Sequence, residues 1–199
     1  MFEKIDEIIK LVNFDTISEE RLASLSELIQ YIKTKRDQGL NVNLNFICTH
    51  NSRRSQFTQV WAKVAAVYYG IEVNTYSGGV EVTACNERTV ASLKRFGFEV
   101  ESKGEGNPKY SIAFSTEVDP IVAFSKLFDD VANPTSNFAA IMTCSHADEN
   151  CPFVTGCDQR LPVRYNDPKA FDDSFLESTM YDSRSFEIAT EMFYVFSKI

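Results

Sequence analysis

From residue 43 onward, short apolar segments alternate with longer segments of helical periodicity, and this alternation restricts the chain to few folds. The strand-like segments are 44–48, 71–77, 98–101, 110–115 and 138–144, and the helical segments are 55–69, 86–96, 120–131 and 183–197. Strands that alternate with helices are typical of a parallel sheet covered by helices. We therefore predict an α/β fold with a mostly parallel sheet.

Residues 1–42 have a different pattern, which predicts a pair of helices ahead of the main domain. The second helix is indicated by apolar residues at helical spacing, namely Leu22, Leu25, Leu28, Ile29 and Ile32. Thr16 followed by Glu19 fits a capping box at its start, and Gly39 suits its end. This N-terminal helical extension either covers apolar surface of the main domain, residues 43–199, or binds a partner.

Charge and hydropathy exclude several classes of protein. The 199 residues include 20 basic and 28 acidic ones, a net charge of −8, whereas a protein that coats nucleic-acid phosphates is normally basic. No stretch reaches the length of about 18 apolar residues that a membrane span needs, and the N-terminus has acids where a signal peptide is basic. We predict a cytoplasmic protein without nucleic-acid or membrane partners, whose five cysteines are thiols.

The loop after the first predicted strand has the pattern of an anion site with a nucleophile. Cys48, five further residues, Arg54 and Ser55 lie between a strand and a helix. Ligands of open α/β sheets bind at this end of the strands, where loop N–H groups and a helix N-terminus attract anions. The same field stabilises a thiolate, and a guanidinium can bind two oxyanion oxygens. The sequence thus indicates Cys48 as a nucleophile and Arg54 as a binding and transition-state group; the alternative is a buried cysteine before exposed arginines.

Residues 48–55 resemble the signature loop of the low-molecular-weight protein tyrosine phosphatase superfamily, which includes thioredoxin-coupled arsenate reductases. The resemblance implies a three-layer fold with a four-stranded parallel sheet, in which Asn51 organises the loop and Ser55 assists the thiolate. The residues expected to bind the oxyanion, phosphate or arsenate, are Thr49, His50, Asn51, Ser52, Arg53 and Ser55. The chain departs from the family at His50, often Gly, and at Arg53, often a small residue.

The resemblance also implies a general acid, an Asp-Pro pair on a late loop. The chain has two such pairs, Asp119-Pro120 and Asp167-Pro168. Asp119-Pro120 opens the predicted helix 120–131 and is interpreted as its cap. Asp167 lies in an irregular segment after the last predicted strand, so we predict that it protonates the leaving oxygen. The alternative for Asp167 is an ordinary turn.

Cys144 and Cys151 are seven residues apart after the predicted strand 138–144, which resembles the arsenate reductase branch. That resemblance implies a thiol relay in which Cys48 attacks arsenate, Cys144 attacks Cys48, and Cys151 resolves the disulfide for reduction by thioredoxin. Arsenate reduction is the first hypothesis. The second is a phosphatase that forms a phosphocysteine at Cys48, and the third is a catalytically idle phosphate-binding module.

Other interpretations of the thiols and of possible cofactors stay open. Cys144 and its neighbours could be purely structural. They could also bind zinc, with the ligands Cys144, His146, Cys151 and Cys157. We predict no metal and no required cofactor, and Cys85 is interpreted as an apolar filler. The reductase branch can bind potassium near the loop, where Asn51 and Ser77 could contribute, but Gln59 stands where an acidic ligand is expected.

Overall fold

The structure, a computed structural model, describes residues 1–150 and 153–199. Its strands are β1 (Asn43–Cys48), β2 (Asn74–Gly79), β3 (Glu99–Lys103), β4 (Lys109–Ala113), β5 (Ile121–Ala123), β6 (Phe138–Met142) and β7 (Cys157–Pro162). Its α-helices are α1 (Glu3–Lys10), α2 (Glu19–Asp37), α3 (Arg54–Tyr68), α4 (Glu87–Arg95), α5 (Ser145–Asn150) and α6 (Glu177–Ser197). Short 3-10 helices lie at Phe14–Thr16 and Pro168–Phe171.

The main sheet confirms the predicted four-stranded parallel sheet flanked by helices. Its strand order is β2-β1-β6-β7, and all of its neighbouring strands run parallel. The central strands β1 and β6 are almost entirely buried, as expected where helices cover a parallel sheet. In the register, Cys48 at the end of β1 lies opposite Gly79 at the end of β2. The carboxyl ends of these strands therefore meet at one edge.

Two features of the sheets were not predicted. The segments 98–101 and 110–115 do form strands, but β3, β4 and β5 make a separate antiparallel sheet. The predicted helix at 120–131 is wrong, because Ile121 and Ala123 are buried while Val122 is exposed, the alternation of a strand. Asp119-Pro120 consequently caps no helix.

The helices of the N-terminal extension pack into the same core as the main domain. Leu25, Leu28 and Ile32 of α2 are fully buried in one cluster with Trp61 of α3, and α2 contacts α6 and β7. These contacts agree with the alternative in which the extension covers apolar surface. The division at residue 42 stays a prediction about the extent of the family resemblance. The helix cap differs from the expected Thr16, since the Ser18 Oγ accepts the Arg21 N–H at 3.3 Å.

Helix α6 is the principal support of α3. It begins before the predicted residue 183 and lies against α3, where Trp61 Nε1 donates to Ser185 Oγ at 2.9 Å. Trp61, the largest side chain of the chain, is fully buried and thus helps to hold α3 against α6. Among the residues that the structure describes, no helix is both long enough and apolar enough to cross a membrane.

Candidate active site

The loop between β1 and α3 turns back on itself at the carboxyl edge of the main sheet. Cys48 ends β1, Arg54 begins α3, and Asn51 between them has a φ of 48°, in the left-handed region that Asn tolerates better than most residues. Within the described part of the chain, the backbone N–H groups of residues 49–53 donate to no acceptor, although most of these residues are buried. Buried N–H groups are normally paired, so the loop has the donors that an anion requires.

Cys48 is buried and contacts the first turn of α3. Its Sγ lies 3.1 Å from the Ser55 Oγ, which also accepts a hydrogen bond from Asn51 Nδ2 at 2.9 Å. Because Asn51 already donates to that oxygen, the Ser55 hydroxyl proton is available for the sulfur of Cys48.

Asn51 connects the loop to two other parts of the chain. Its Oδ1 accepts the backbone N–H of Lys126 at 3.1 Å, and its carbonyl accepts from Gln56 Nε2 at 2.9 Å. The neighbouring Ser125 Oγ donates to the carbonyl of His50 at 2.8 Å. The segment that follows the antiparallel sheet therefore supports the loop from behind, which no sequence pattern indicated.

Gly79 is a second support that the sequence prediction missed. A Cβ on Gly79 would lie 2.8 Å from the Asn51 nitrogen and 2.9 Å from the His50 carbonyl carbon. Such distances to backbone leave no room for any side chain. Gly79 lies just beyond the predicted strand 71–77, and the absence of a side chain there lets the loop approach the edge of the sheet.

Arg54 and Asp167 lie together at the loop, although 113 residues separate them in sequence. Arg54 Nη2 donates to Asp167 Oδ2 at 2.6 Å, and Nη1 donates to the carbonyl of Tyr165 at 3.2 Å. Arg54 Nε is buried and has no partner among the described residues. The other carboxylate oxygen of Asp167 accepts the Lys169 N–H at 3.0 Å and so caps a 3-10 helix. The structure thus brings the predicted acid to the predicted loop.

The side chain of Arg53 does not point to an oxyanion in the loop. Arg53 is buried, with Nε donating to the Tyr181 hydroxyl at 2.6 Å and Nη2 to Asp172 at 3.0 Å. The Tyr181 hydroxyl donates in turn to Asp172 at 2.7 Å. Burial, followed by this bond to Asp172, raises the pKa of Tyr181. The expectation that Arg53 binds the oxyanion is therefore corrected for its Nε and Nη2 atoms, which are bound to Tyr181 and Asp172.

The remaining loop side chains also bind protein. Thr49 Oγ1 lies 3.3 Å from His146 Nδ1, Ser52 Oγ donates to the Ala84 carbonyl at 2.7 Å, and His50 Nε2 lies 3.2 Å from Glu81. His50 is about one-third exposed at the rim. The side chains of Thr49, His50 and Ser52 therefore already have partners within the protein.

Cys144 lies next to the loop, between β6 and α5. Its Sγ is 3.4 Å from Thr49 Oγ1 and accepts the Ala147 N–H at 3.3 Å. It is fully buried in one small apolar cluster with Cys48 and Met142. Cys151, the resolving thiol of the implied relay, lies outside the described residues. Cys157 is half-buried at the start of β7.

Two other expectations concern groups around the site. Burial raises the pKa of Cys85 to about 12, which agrees with its interpretation as a filler. In residues 1–150 and 153–199, no three His, Cys, Asp or Glu residues cluster closely enough to hold a metal; one ligand of the zinc alternative, Cys151, is not among them.

The residues near the loop do not fit a potassium ion. Asn51 Oδ1 already accepts a hydrogen bond, Gln59 carries no charge, and the buried Lys126 lines the same cavity as Gln59. Burial lowers the pKa of Lys126 to about 8, so the ammonium is still mostly charged at neutral pH and repels a cation. Gln59 Oε1 has no partner among the described residues, but a single amide oxygen supplies too few ligands for a potassium ion.

Comparison with known proteins gives relatives in sequence and in structure. No protein-family model matches the sequence. The arsenate reductase of Staphylococcus aureus (strain Newman) is 30% identical over 123 residues, which are 62% of this chain and 76% of that protein. The arsenate reductase of Brevibacillus brevis (strain 47) is 28% identical over 123 residues, 62% of this chain and 74% of that protein.

Two of the solved structures that the fold matches are named as phosphatases. A low-molecular-weight protein tyrosine phosphatase from T. tengcongensis gives a TM-score of 0.52 at 14% identity, covering 80% of this chain and all of that one (100%). A low-molecular-weight phosphotyrosine phosphatase from Vibrio cholerae O395 gives 0.51 at 11% identity, covering 75% and 91%. At these identities, the likeness shows the shared fold.

Proposed function

Because the chain belongs to the low-molecular-weight protein tyrosine phosphatase superfamily, with arsenate reductases among its relatives, we propose that it is a cysteine-dependent enzyme of tetrahedral oxyanions. Its proposed reaction is arsenate reduction through Cys48, Cys144 and Cys151. The proposal rests chiefly on Cys144, which is buried beside Thr49, the residue that follows Cys48. A purely structural cysteine has no need to adjoin the nucleophile.

The oxyanion would bind in the loop through backbone and guanidinium donors. The N–H groups of residues 49–53 have no acceptor among the described residues, and neither has Arg54 Nε. Donors fixed in place before the substrate arrives stabilise developing charge without reorganisation, which is the main source of such catalysis. The oxyanion competes with Asp167 for the guanidinium of Arg54. When the oxyanion displaces the Asp167 carboxyl group, that group is left next to the substrate oxygens.

In the first step, the Cys48 thiolate attacks arsenic. A sulfur–arsenic bond forms and one arsenic–oxygen bond breaks. The departing hydroxyl takes a proton from the protonated carboxyl group of Asp167 and leaves as water. Arg54 and the loop N–H groups stabilise the negative charge on the other oxygens.

In the second step, the Cys144 thiolate attacks the sulfur of Cys48. A disulfide forms, the sulfur–arsenic bond breaks, and its electron pair stays on arsenic, so that arsenic(V) leaves as arsenite, arsenic(III). The Cys151 thiolate then attacks Cys144 and frees Cys48, and a dithiol reductant such as thioredoxin reduces the Cys144–Cys151 disulfide. The part of Cys151 rests on the sequence resemblance. This chemistry needs thiols at rest, which fits the proposed cytoplasmic location.

Changing Cys144 to serine separates reduction from hydrolysis. Cys144→Ser should stop multiple turnover of arsenate with thioredoxin and its reductase, because nothing attacks the Cys48–arsenic adduct. Hydrolysis of p-nitrophenyl phosphate should persist within about threefold, since Cys48, Arg54 and Asp167 are unchanged. The measurements are reductant consumption under arsenate and nitrophenol release.

The matched control is Cys157→Ser, which removes another thiol downstream of β6 and should leave both rates near wild type. Undiminished arsenate turnover by Cys144→Ser would rule out the relay. Loss of both activities with a retained melting temperature would assign Cys144 to the oxyanion site itself rather than to a relay.

Phosphate monoester hydrolysis is the second candidate, favoured by the contact of Asp167 with Arg54 at 2.6 Å. A phosphocysteine at Cys48 would form while Asp167 protonates the leaving oxygen, and the resulting carboxylate would then activate water. A hydrolase needs this acid most when the leaving group is poor.

Asp167→Asn should lower kcat for phenyl phosphate by about 10²-fold or more, because Asn cannot donate a proton to the leaving oxygen. The better leaving group of p-nitrophenyl phosphate should suffer less. Competitive inhibition by inorganic phosphate reports on oxyanion binding and should survive. A wild-type rate on phenyl phosphate would contradict the assignment of Asp167 as the acid. Asp119→Asn, in the other Asp-Pro pair, is the matched control.

A further inference from the structure

Arg21 joins the N-terminal extension to the segment that carries the proposed acid. It lies on α2, outside the family resemblance, yet its Nη1 donates to the carbonyl of Arg164 at 2.9 Å. Its guanidinium carbon lies 4.5 Å from the centre of the Tyr165 ring, within the range of a cation–π contact. Arg21 thus holds the two residues at the start of the segment that leads to Asp167.

Glu191 on α6 fixes the orientation of Arg21. Arg21 Nε lies 2.5 Å from one oxygen of this carboxylate, and Nη2 lies 2.7 Å from the other. The Glu191 side chain is only 4% exposed. A two-point pair between a planar fork and a buried carboxylate sets direction as well as distance. The guanidinium therefore has little freedom to turn away from Tyr165.

Arg54 binds the same segment, residues 164–167, that Arg21 contacts. The Tyr165 carbonyl accepts from Arg54 Nη1 at 3.2 Å, while Arg54 Nη2 binds Asp167. The Tyr165 N–H donates to the Thr143 carbonyl at 3.0 Å, and its ring is buried. Tyr165 is consequently the meeting point of the extension, the main sheet and the oxyanion loop.

We propose that Arg21, held by Glu191, is a positioning residue that sets Asp167 in its working geometry through Arg164 and Tyr165. The inference rests on the proposed function and deepens it. It gives the N-terminal extension a part in catalysis, because α2 supplies the contacts with Arg164 and Tyr165. Displacements of about 1 Å at reacting groups can cost about 10²-fold in rate.

The test uses Arg21→Lys in the full chain. Lysine keeps the charge beside Glu191, so that no carboxylate is left buried and unpaired, but it loses the fork and the flat surface over Tyr165. We expect kcat for phenyl phosphate to fall about tenfold or more, with a smaller loss for p-nitrophenyl phosphate and unchanged inhibition by inorganic phosphate. In an Asp167→Asn background, the same change should have almost no further effect, because the acid that it positions is absent.

A second measurement does not depend on turnover. Hydrogen exchange of the Tyr165 and Lys169 amides, whose acceptors are Thr143 and Asp167, should quicken at least about tenfold in Arg21→Lys, while β1 amides stay protected. The matched control is Tyr31→Phe, which removes another α2 contact, the hydroxyl bond to Asp158 at 2.9 Å. It should change neither kinetics nor these amides.

The outcomes separate this inference from the proposed function. Equal rate losses with both leaving groups, or a full effect in the Asp167→Asn background, would overturn the positioning role, and so would unchanged exchange at Tyr165 and Lys169. A wild-type protein that turns over neither arsenate nor aryl phosphate would sink the proposed function. In that case, the exchange measurement still decides whether Arg21 holds the segment.

Discussion

Cys48→Ser should eliminate turnover of arsenate and of aryl phosphates alike. The hydroxyl of serine stays protonated at neutral pH, and the Ser55 hydroxyl beside it is placed to donate rather than to accept a proton. The relay is lost as well, since Cys144 attacks the sulfur of Cys48. Loss of a nucleophile from an enzyme that depends on it costs about 10⁶-fold in kcat, so activity should fall below detection.

Oxyanion binding separates this loss from a loss of folding. The loop N–H groups and Arg54 would bind the oxyanion without help from the sulfur of Cys48. The affinity for inorganic phosphate, measured by calorimetry, should therefore stay within about threefold of wild type. The change is nearly isosteric, and the melting temperature should move by only a few degrees. Cys85→Ser, at a buried thiol that has no role in the proposed chemistry, serves as control. Residual turnover above about 1% of wild type would contradict a nucleophilic role for Cys48.

Arg54→Lys should have the second largest effect, a loss of about 10³-fold in kcat/KM. In the structure, the guanidinium binds Asp167 and the Tyr165 carbonyl together and still has Nε unpaired among the described residues. An ammonium group keeps the charge but has no planar fork with which to bind two oxyanion oxygens. Both binding and the transition state should suffer, so kcat should fall and the inhibition constant of phosphate should rise.

The control for Arg54→Lys is Arg95→Lys. Arg95 is the last residue of α4, is partly exposed and pairs with Asp182 of α6 at 2.7 Å. That variant should keep wild-type kinetics, because exposed ion pairs contribute little and the site is distant. Activity of Arg54→Lys within about tenfold of wild type would show that charge alone suffices and would contradict the fork geometry.

The parts of the fold that sequence alone could predict are those determined by nearby residues. The apolar run of β1 and the helical periodicity of α3 predicted the strand, the loop and the helix that carry Cys48. Strand β7 was not predicted, since Asp158 and Gln159 are exposed and its pattern is polar. As an edge strand, it is defined by pairing with β6, which no local pattern encodes.

The candidate site likewise has residues that the sequence could predict and supports that it could not. The spacing of Cys48 and Arg54 in one short motif predicted those two residues, and the family resemblance predicted Asp167. The supports of the loop come from distant residues, such as Lys126, which is 75 positions from Asn51 in sequence. The pair of Arg21 and Glu191 spans 170 positions. Such contacts follow from tertiary packing, so a single sequence without its fold does not indicate them.

The anchoring of Arg53 has a consequence for how the protein is made. Its partners Asp172 and Tyr181 follow it by 119 and 128 residues. A ribosome that synthesises the chain from its N-terminus therefore releases the loop long before those partners exist. Until Asp172 and Tyr181 have been synthesised, the nascent chain carries Cys48 beside an Arg53 that lacks these two partners. Assembly of the site therefore waits for the synthesis of the segment that contains them.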